Sequence, residues 1–479
     1  MSIRKGFLIS LASSNVSMLI SFVASIFLAR LLTPHEIGIF SVAYVFAGLL
    51  RTIREMGLGS YIVQEQDLTT ERFRTAFGIS IVIAFVTAAI LAALAGYAGE
   101  FYREPGITQA IYVIAASFLL VPFGATTLSF LRRELRFVDI AIIETVSAVV
   151  QNLSAIGMAW LGFGFMSLAW SSLLGILASV LMVLFYRPKS IPWLPSLAEW
   201  RRVLSFSSFV SGSALVNYIN FSANDLVLGR MLNVSSVALF NRASSLAEMI
   251  GPMILRAVNA VSLPYFAEKN REGQELLPAF LRSSVLLATI AVPIYLVMLV
   301  VAEPIIRILY GEQWLESVVV LKWLCLAAIL RTPLSLSTNL LTAVGEVRQV
   351  LLLDVNSLLI KLILVVFGAK HGLEAVAIAY CIATVATNVL RYNAVSRFTG
   401  MKVKQLVDLH KQIVIPSLLA VIAPACLTAF QDNSYVTLFG TTVLSSIGWL
   451  CSVLLFANPM GDEIRSVVLK GRERFNGQG

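Results

Sequence analysis

Nine ionisable side chains fall inside long apolar stretches of this 479-residue sequence: the cations Arg242, Arg256, Lys322, Arg331 and Lys361, and the acids Glu144, Asp225, Glu248 and Asp354. A charge placed in hydrocarbon costs about 2.5–3.5 kcal/mol on insertion scales, so each must face a partner or a wet cavity. Two chemistries use such residues. Paired between helices, they neutralise one another and fix the packing. Lining a cavity, arginines replace the hydration shell of an anionic head group, while carboxylates carry a coupling proton or sodium ion. Arginine suits the second role because its planar fork grips a phosphate bidentately. At about 4 Å and an effective dielectric of 20 the attraction is about 4 kcal/mol, useful against a costly crossing yet weak enough for release.

Spacing sorts these residues. Arg242 and Arg256 are fourteen positions apart, which on a helix is about 21 Å of rise and within about 40° of one face. Glu248 is turned about 120° from Arg242, and Pro252 can bend the helix before Arg256. Arg331 lies beside Pro333, while Asp354 and Lys361 are two turns apart on one face, so these three can form one network. Lys322, near the end of its stretch, snorkels to the surface. Arg51 and Arg54 close the second stretch, where membrane topology alone explains them and where they could also receive a phosphate. Mid-depth amides, Asn15, Gln151, Asn152, Asn217 and Asn259, act as interhelical glue first and ligand contacts second. The candidate diphosphate and sugar contacts are thus Arg242, Arg256, Arg331, Arg51, Arg54, Asn217 and Asn259. The candidates for ion coupling are Asp225, Glu248 and Asp354.

The elements that must hold these residues are membrane spans. Apolar residues make up 58% of the chain and charged residues 13%, against about 45–50% and 25% in soluble domains. The mean hydropathy is +0.84. Fourteen stretches of spanning length can be drawn: 7–31, 37–54, 75–96, 107–130, 140–161, 166–186, 205–228, 237–264, 280–306, 318–341, 347–368, 373–396, 413–430 and 436–457. The first exceeds a signal-peptide core and reads as an uncleaved span. With the N-terminus in the cytoplasm, 26 of the 36 basic residues fall on the cytoplasmic side and five outside, an asymmetry that one span more or less would destroy. The net charge of +9 is therefore topological and not a nucleic-acid footprint. Both termini are expected in the cytoplasm.

An internal repeat at an offset of 200 residues sets Leu28-Ala29-Arg30-Leu31-Leu32 against Leu228-Gly229-Arg230-Met231-Leu232, and Ile37-Gly38-Ile39-Phe40 against Val237-Ala238-Leu239-Phe240. Six spans per unit leave the copies in one orientation, as in parallel-repeat transporters, with the site between the bundles. The expected architecture is an all-α integral membrane protein of fourteen transmembrane helices. It divides into an N-terminal six-helix bundle (1–186), an amphipathic cytoplasmic connector (187–204), a second six-helix bundle (205–398), two additional helices (399–457) and a basic cytoplasmic tail (458–479).

Absences narrow the chemistry. The sequence has no G-x-x-x-x-G-K-[ST] phosphate cradle, and His35, His371 and His410 are isolated. Cys325, Cys381, Cys426 and Cys451 are far apart, without disulfide or zinc spacing. Short connections leave no room for an aqueous enzyme domain, and the outer segment 98–106 offers two carboxylates and one arginine without a further partner. No catalytic residue, metal or bound cofactor is expected, and the protein reads as a transporter rather than an enzyme.

The run Leu28-Ala29-Arg30-Leu31-Leu32-Thr33-Pro34-His35-Glu36-Ile37-Gly38 resembles the first-loop signature of bacterial polysaccharide flippases. So do Gly57-Leu58-Gly59-Ser60 with Val63-Gln64, the run from Asn224-Asp225 to Gly229-Arg230, and Tyr310-Gly311-Glu312-Gln313-Trp314. The resemblance is to the flippase branch of the multidrug, oligosaccharidyl-lipid and polysaccharide exporter superfamily, serving exopolysaccharide, colanic-acid-like and lipopolysaccharide assembly. It implies two six-helix bundles in a V around a central cavity, with two final helices that help form a groove for an isoprenoid tail. The implied activity is translocation of undecaprenyl-diphosphate-linked oligosaccharide across the bacterial inner membrane by alternating access, coupled to a proton or sodium gradient. Arg51, Arg54, Arg242 and Arg256 fall on helices that receive the diphosphate in relatives flipping peptidoglycan precursors. Polysaccharide polymerase and assembly proteins are the implied partners. A multidrug efflux antiporter of the same superfamily is the alternative.

Overall fold

The structure is a computed structural model that describes residues 3–54, 58–188, 193–201, 203, 218–219, 222–430 and 434–455. Every regular element among them is helical. The helices are α1 (Ile3–Leu31), α2 (Pro34–Arg54), α3 (Leu58–Gln64), α4 (Thr70–Tyr102), α5 (Pro105–Arg133), α6 (Phe137–Trp160), α7 (Met166–Tyr186) and α8 (222–231). They continue with α9 (Val234–Arg271), α10 (Leu276–Val300), α11 (Ala302–Leu309), α12 (Ser317–Arg331), α13 (Ser337–Ala343), α14 (Val347–Ala369), α15 (Leu373–Thr399), α16 (Val403–Phe430) and α17 (Ser434–Leu455).

Ten stretches among the described residues are long and apolar enough to cross a membrane. The chain is an all-α, multi-pass membrane protein. Its outer surface has the character that lipid requires: Phe185, Trp160, Phe439 and Tyr97 are 83%, 78%, 75% and 74% exposed, which only a hydrocarbon surrounding makes inexpensive. The expected first, eighth and thirteenth spans lie in α1, α9 and α16, which are helical but fall outside those ten. The seventh, 205–228, lies largely outside the described residues.

The chain divides into two compact units, Met1–Ala238 and Leu239–Gly479. In the first, α4 packs along α5, α6 along both α7 and α1, and α5 along α7 and α2. Lipid tails are as apolar as leucine, so helices in a bilayer associate through close packing and small residues. Gly38 of α2 lies against the backbone of Val234, the first residue of α9, and Gly48 admits the Tyr218 ring. The Tyr218 hydroxyl then donates to the Val45 carbonyl at 3.2 Å.

Short α3 is held at one end of this unit by a cluster of Leu58, Tyr61, Ile62, Phe73, Ala76, Ile79 and Val203. Arg133 closes its end, donating to the carbonyls of Ile62 (3.0 Å) and Gln66 (3.2 Å), as basic side chains do for the orphan carbonyls of a helix C-terminus. The connector docks on the same end. Ser196 N–H donates to the Arg74 carbonyl, Arg74 Nε to the Leu194 carbonyl, and Arg72 Nε to Glu199 at 3.2 Å. Arg187 lies 3.5 Å over the Trp193 ring and donates to Thr127 Oγ1. Burial pushes its guanidinium down to about 10, so it keeps its charge at neutral pH.

In the second unit α14 packs along α15, α16 along α17 and α10, and α12 along α10 and α15. Phe266, Phe280, Leu334, Leu336, Leu340 and Val395 belong to one of its core clusters. A buried Ser317 hydroxyl joins α12 to α9 by donating to the Leu239 carbonyl at 3.0 Å.

Candidate functional site

A cavity of about 640 Å³ opens in the first unit between α2, α3, α4 and α5. It is lined by Arg54 at its inner wall, Arg132 at its rim, Gly59, Ser60, Val63 and Gln64 of α3, Ser80 of α4, and Thr126 and Ser129 of α5. Three physical features build it. Short α3, between α2 and α4, brings Gly59, Ser60, Val63 and Gln64 to the cavity. Gly59 keeps α3 close to α5, since a methyl there would meet Ser129 Oγ at 3.0 Å. Arg54 is 7% exposed with its guanidinium 4.5 Å over the Phe118 ring, where a desolvated cation gains about 2 kcal/mol from the ring face. Arg132 is solvated and pairs with Glu144 at 3.2 Å. One of the nine intramembrane charges thus has its partner in a residue counted as a loop cation.

Arg51 lies outside this lining and donates to the Tyr44 hydroxyl at 3.1 Å. Asp225, on α8, reaches the Tyr102 phenol electrostatically together with Arg230, and Tyr102 donates to the Leu226 carbonyl at 3.2 Å. The structure therefore brings Arg54 to a cavity and sets Arg51 and Asp225 among tyrosines. Asn217 lies outside the described residues.

The remaining expected charges belong to the second unit. Arg242 rests over the rings of Tyr310 (5.3 Å) and Trp314 (5.4 Å), the two aromatics of the Tyr310-Gly311-Glu312-Gln313-Trp314 motif, which turns at Gly311 with φ near +100°. Burial pushes the Tyr310 phenol up and Arg242 opposes that shift. Arg256 and Asn259 lie on α9, which runs unbroken past Pro252, with their side chains outside the described set.

Glu248, Arg331 and Tyr380 line a space of about 20 Å³ with Ser244 and Thr384, the size of one water molecule. Lys361 feels the charge of Glu248. Asp354 is 4.0 Å from Arg391, whose field in turn includes Arg331. Four helices, α9, α12, α14 and α15, therefore share one charge network. Lys322 is exposed near the start of α12.

Sequence reasoning missed two classes of residue here. Arg132 lies just past the apolar stretch 107–130 and Arg391 in the last turns of the stretch 373–396, and both belong to the cytoplasmic basic residues of the charge count, whereas α5 and α15 continue through them. Thr126 and Ser129 carry no charge to mark them, and their three-residue spacing on one helix face was the one signal that could have found them.

A third feature is an apolar groove of about 570 Å³ between α10, α16 and α17, lined by Ile294, Val297, Met298, Leu438, Trp449 and Leu450 among others. The Trp449 indole donates to the Thr289 carbonyl at 2.8 Å, which fixes that wall.

Comparison with known proteins gives concordant results. The lipopolysaccharide biosynthesis protein WzxC of Escherichia coli K12 is 25% identical over 373 residues, covering 76% of this chain and 75% of that protein. The succinoglycan biosynthesis transport protein ExoT of Rhizobium meliloti is 28% identical over 336 residues, covering 68% and 66%. Among solved structures, the lipid II flippase MurJ in an inward closed conformation has a TM-score of 0.73 at 15% identity, covering 94% of this chain and 98% of that one. An inward-facing multidrug resistance MATE family transporter gives 0.62 at 18%, covering 84% and 99%. These two share the fold. The family profile described as polysaccharide biosynthesis protein matches residues 27–319, from the end of α1 to the start of α12 and more than half of the chain, and on that match the chain belongs to the polysaccharide biosynthesis protein family.

Proposed function

We propose that the protein is a flippase that moves undecaprenyl-diphosphate-linked oligosaccharide units from the cytoplasmic to the outer leaflet of the bacterial inner membrane, for exopolysaccharide or lipopolysaccharide assembly. The observation that carries this reading is the family match in a chain whose fold, over 94% of its length, is that of a lipid II flippase. A cavity with arginines and hydroxyls in the first unit and an apolar groove in the second support it chemically: the head group is polar and anionic and the tail is hydrocarbon. A multidrug efflux antiporter, which takes cations, is the second reading, favoured by the MATE fold likeness; arginine-lined polar space suits it poorly.

The chain crosses the membrane fourteen times as two six-helix bundles (1–186 and 205–398), joined by the 187–204 connector and followed by two helices and a tail, with both termini cytoplasmic. A matching turn supports the repeat: α1 ends at Leu31 and α2 begins at Pro34, and exactly 200 residues on α8 ends at 231 and α9 begins at Val234. Arg51, Arg54, Arg242, Arg256, Arg331, Asn217 and Asn259 contact the diphosphate and sugars. Asp225, Glu248 and Asp354 couple the cycle to a proton or sodium gradient, and polymerase and assembly proteins take the product. Bundle rocking supplies alternating access.

The test is a strain lacking the protein. Lipid-linked oligosaccharide should accumulate on the inner leaflet, relieved by wild type and not by Arg54→Ala or Arg256→Ala present at equal level. Sensitivity to cationic drugs without accumulation would instead establish the efflux reading.

A further inference from the structure

The first-unit cavity combines two kinds of group. Arg54 of α2 and Arg132 of α5 are cationic. On the same face of α5 as Arg132, Thr126 Oγ1 donates to the Pro122 carbonyl at 3.2 Å and Ser129 Oγ to the Ala125 carbonyl at 3.0 Å. A hydroxyl has one proton and two lone pairs, so with both protons committed to the helix backbone the hydroxyls of these two lining residues are left as acceptors. An anion gains nothing from these hydroxyls. A polyol does, because its own hydroxyls can donate to them. Thr126 and Ser129 are one turn apart on the same face of α5, and the lining of α5 from Val121 to Arg132 runs about 17 Å along the helix axis.

We propose that this cavity reads the phosphate-linked sugar of the transported lipid: Arg54 and Arg132 hold phosphate oxygens, Arg132 exchanging Glu144 for the ligand, while Thr126 and Ser129 accept hydrogen bonds from the sugar's hydroxyls. The inference rests on the flippase reading and adds to it a ligand class and a pair of specificity residues. The volume lies in the range of small-molecule pockets, which suits one sugar with its phosphates and leaves the rest of the oligosaccharide outside. Discrimination follows from the two acceptors. A ligand lacking the hydroxyls leaves two buried acceptors unmatched, and sites built to hydrogen-bond a substrate hydroxyl reject analogues without it most strongly.

The test is calorimetric titration of the purified full-length protein with a short-chain prenyl diphosphate and with the same lipid carrying one hexose. Wild type should bind the hexoside about three- to ten-fold more tightly, the increment of one or two hydrogen bonds. The near-isosteric Thr126→Val and Ser129→Ala should each lose about half of that increment in free energy and the double variant nearly all of it, and Thr126→Ser, which keeps the hydroxyl, should retain it. Arg54→Gln and Arg132→Gln should weaken both ligands. Equal wild-type affinity for the two lipids, or an undiminished increment in folded Thr126→Val, overturns the proposal while leaving the flippase reading intact. Phosphatidylglycerol micelles that compete fully with the hexoside, again with no hexose increment, would make the cavity a phospholipid head-group site and also overturn it. Failure of wild type to bind either prenyl lipid would instead count against the flippase reading.

Discussion

Replacing Gly38 by alanine tests whether α2 and the start of α9 meet as closely as they do here. A methyl on Gly38 would lie 1.9 Å from the Val234 carbonyl oxygen and 2.4 Å from its carbon. Both are backbone atoms, so no rotamer change relieves the clash. Reaching an ordinary contact requires the helices to part by about 1.5 Å, a gap that forfeits at least a quarter to a half of the dispersion energy of the neighbouring contacts. Alanine is the better helix former by about 1 kcal/mol, but overpacking of this kind costs about 1–3 kcal/mol before those lost contacts are added. Gly96, inside α4 with nothing within 4 Å of an added methyl, supplies the control: there the same substitution should stabilise by about 0.5–1 kcal/mol. Thermal unfolding of the detergent-solubilised chain should therefore place Gly38→Ala clearly below wild type and Gly96→Ala at or above it. If the two variants melt together, the close approach is absent and the reasoning fails.

Other perturbations follow from single contacts. Ser317→Ala removes the buried bond to the Leu239 carbonyl and should lower stability by about 1 kcal/mol, read from the same melting curves. Lys361→Met removes one of the cations near Glu248, Arg331 being another; folded yield should fall, and recover in Lys361→Met with Glu248→Gln. A double variant no better than the single would refute that pairing. Trp193→Ala removes the ring beneath Arg187, worth about 1–2 kcal/mol when desolvated, and should speed tryptic cleavage at Arg201 without changing overall melting.

Most of the helix plan was legible in the sequence, because in a membrane the length and polarity of a span are set by the solvent rather than by neighbours. The stretch 166–186 coincides with α7, and 347–368 and 373–396 fall within one to three residues of α14 and α15. Errors concentrate at helix ends. α4 starts at Thr70 and α16 at Val403, beyond the apolar core of each, since helices continue through polar residues into the head-group region and hydropathy does not see them. The site was legible in its charges and opaque in its grouping. Glu248 and Arg331, charges inside spans, line a small space in the second unit, and Arg54, at the end of a span, lines the larger cavity of the first. The expected link of Arg331 with Asp354 and Lys361 runs instead through Arg391 and Glu248, because which faces meet is decided by packing between helices far apart in sequence. Thr126 and Ser129 were invisible for a different reason: a hydroxyl becomes informative only when the direction of its proton is known.

The groove between α10, α16 and α17 bears on how this protein must be handled. Its lining is mostly hydrocarbon, Thr442, Ser445 and Ser446 excepted, with the Trp449 indole tied to Thr289 along one wall, and for a flexible alkyl chain such a surface is favourable on terms set mainly by buried area. Detergent is such a chain, present in purified samples at far higher concentration than any lipid substrate. Under the proposed function, affinities for long prenyl lipids measured in micelles should accordingly be underestimated, while head-group analogues with short tails escape the competition. Reconstitution into nanodiscs of defined lipid composition should recover the missing tail contribution, and the ratio of the two affinities reports how much of substrate recognition resides in the tail.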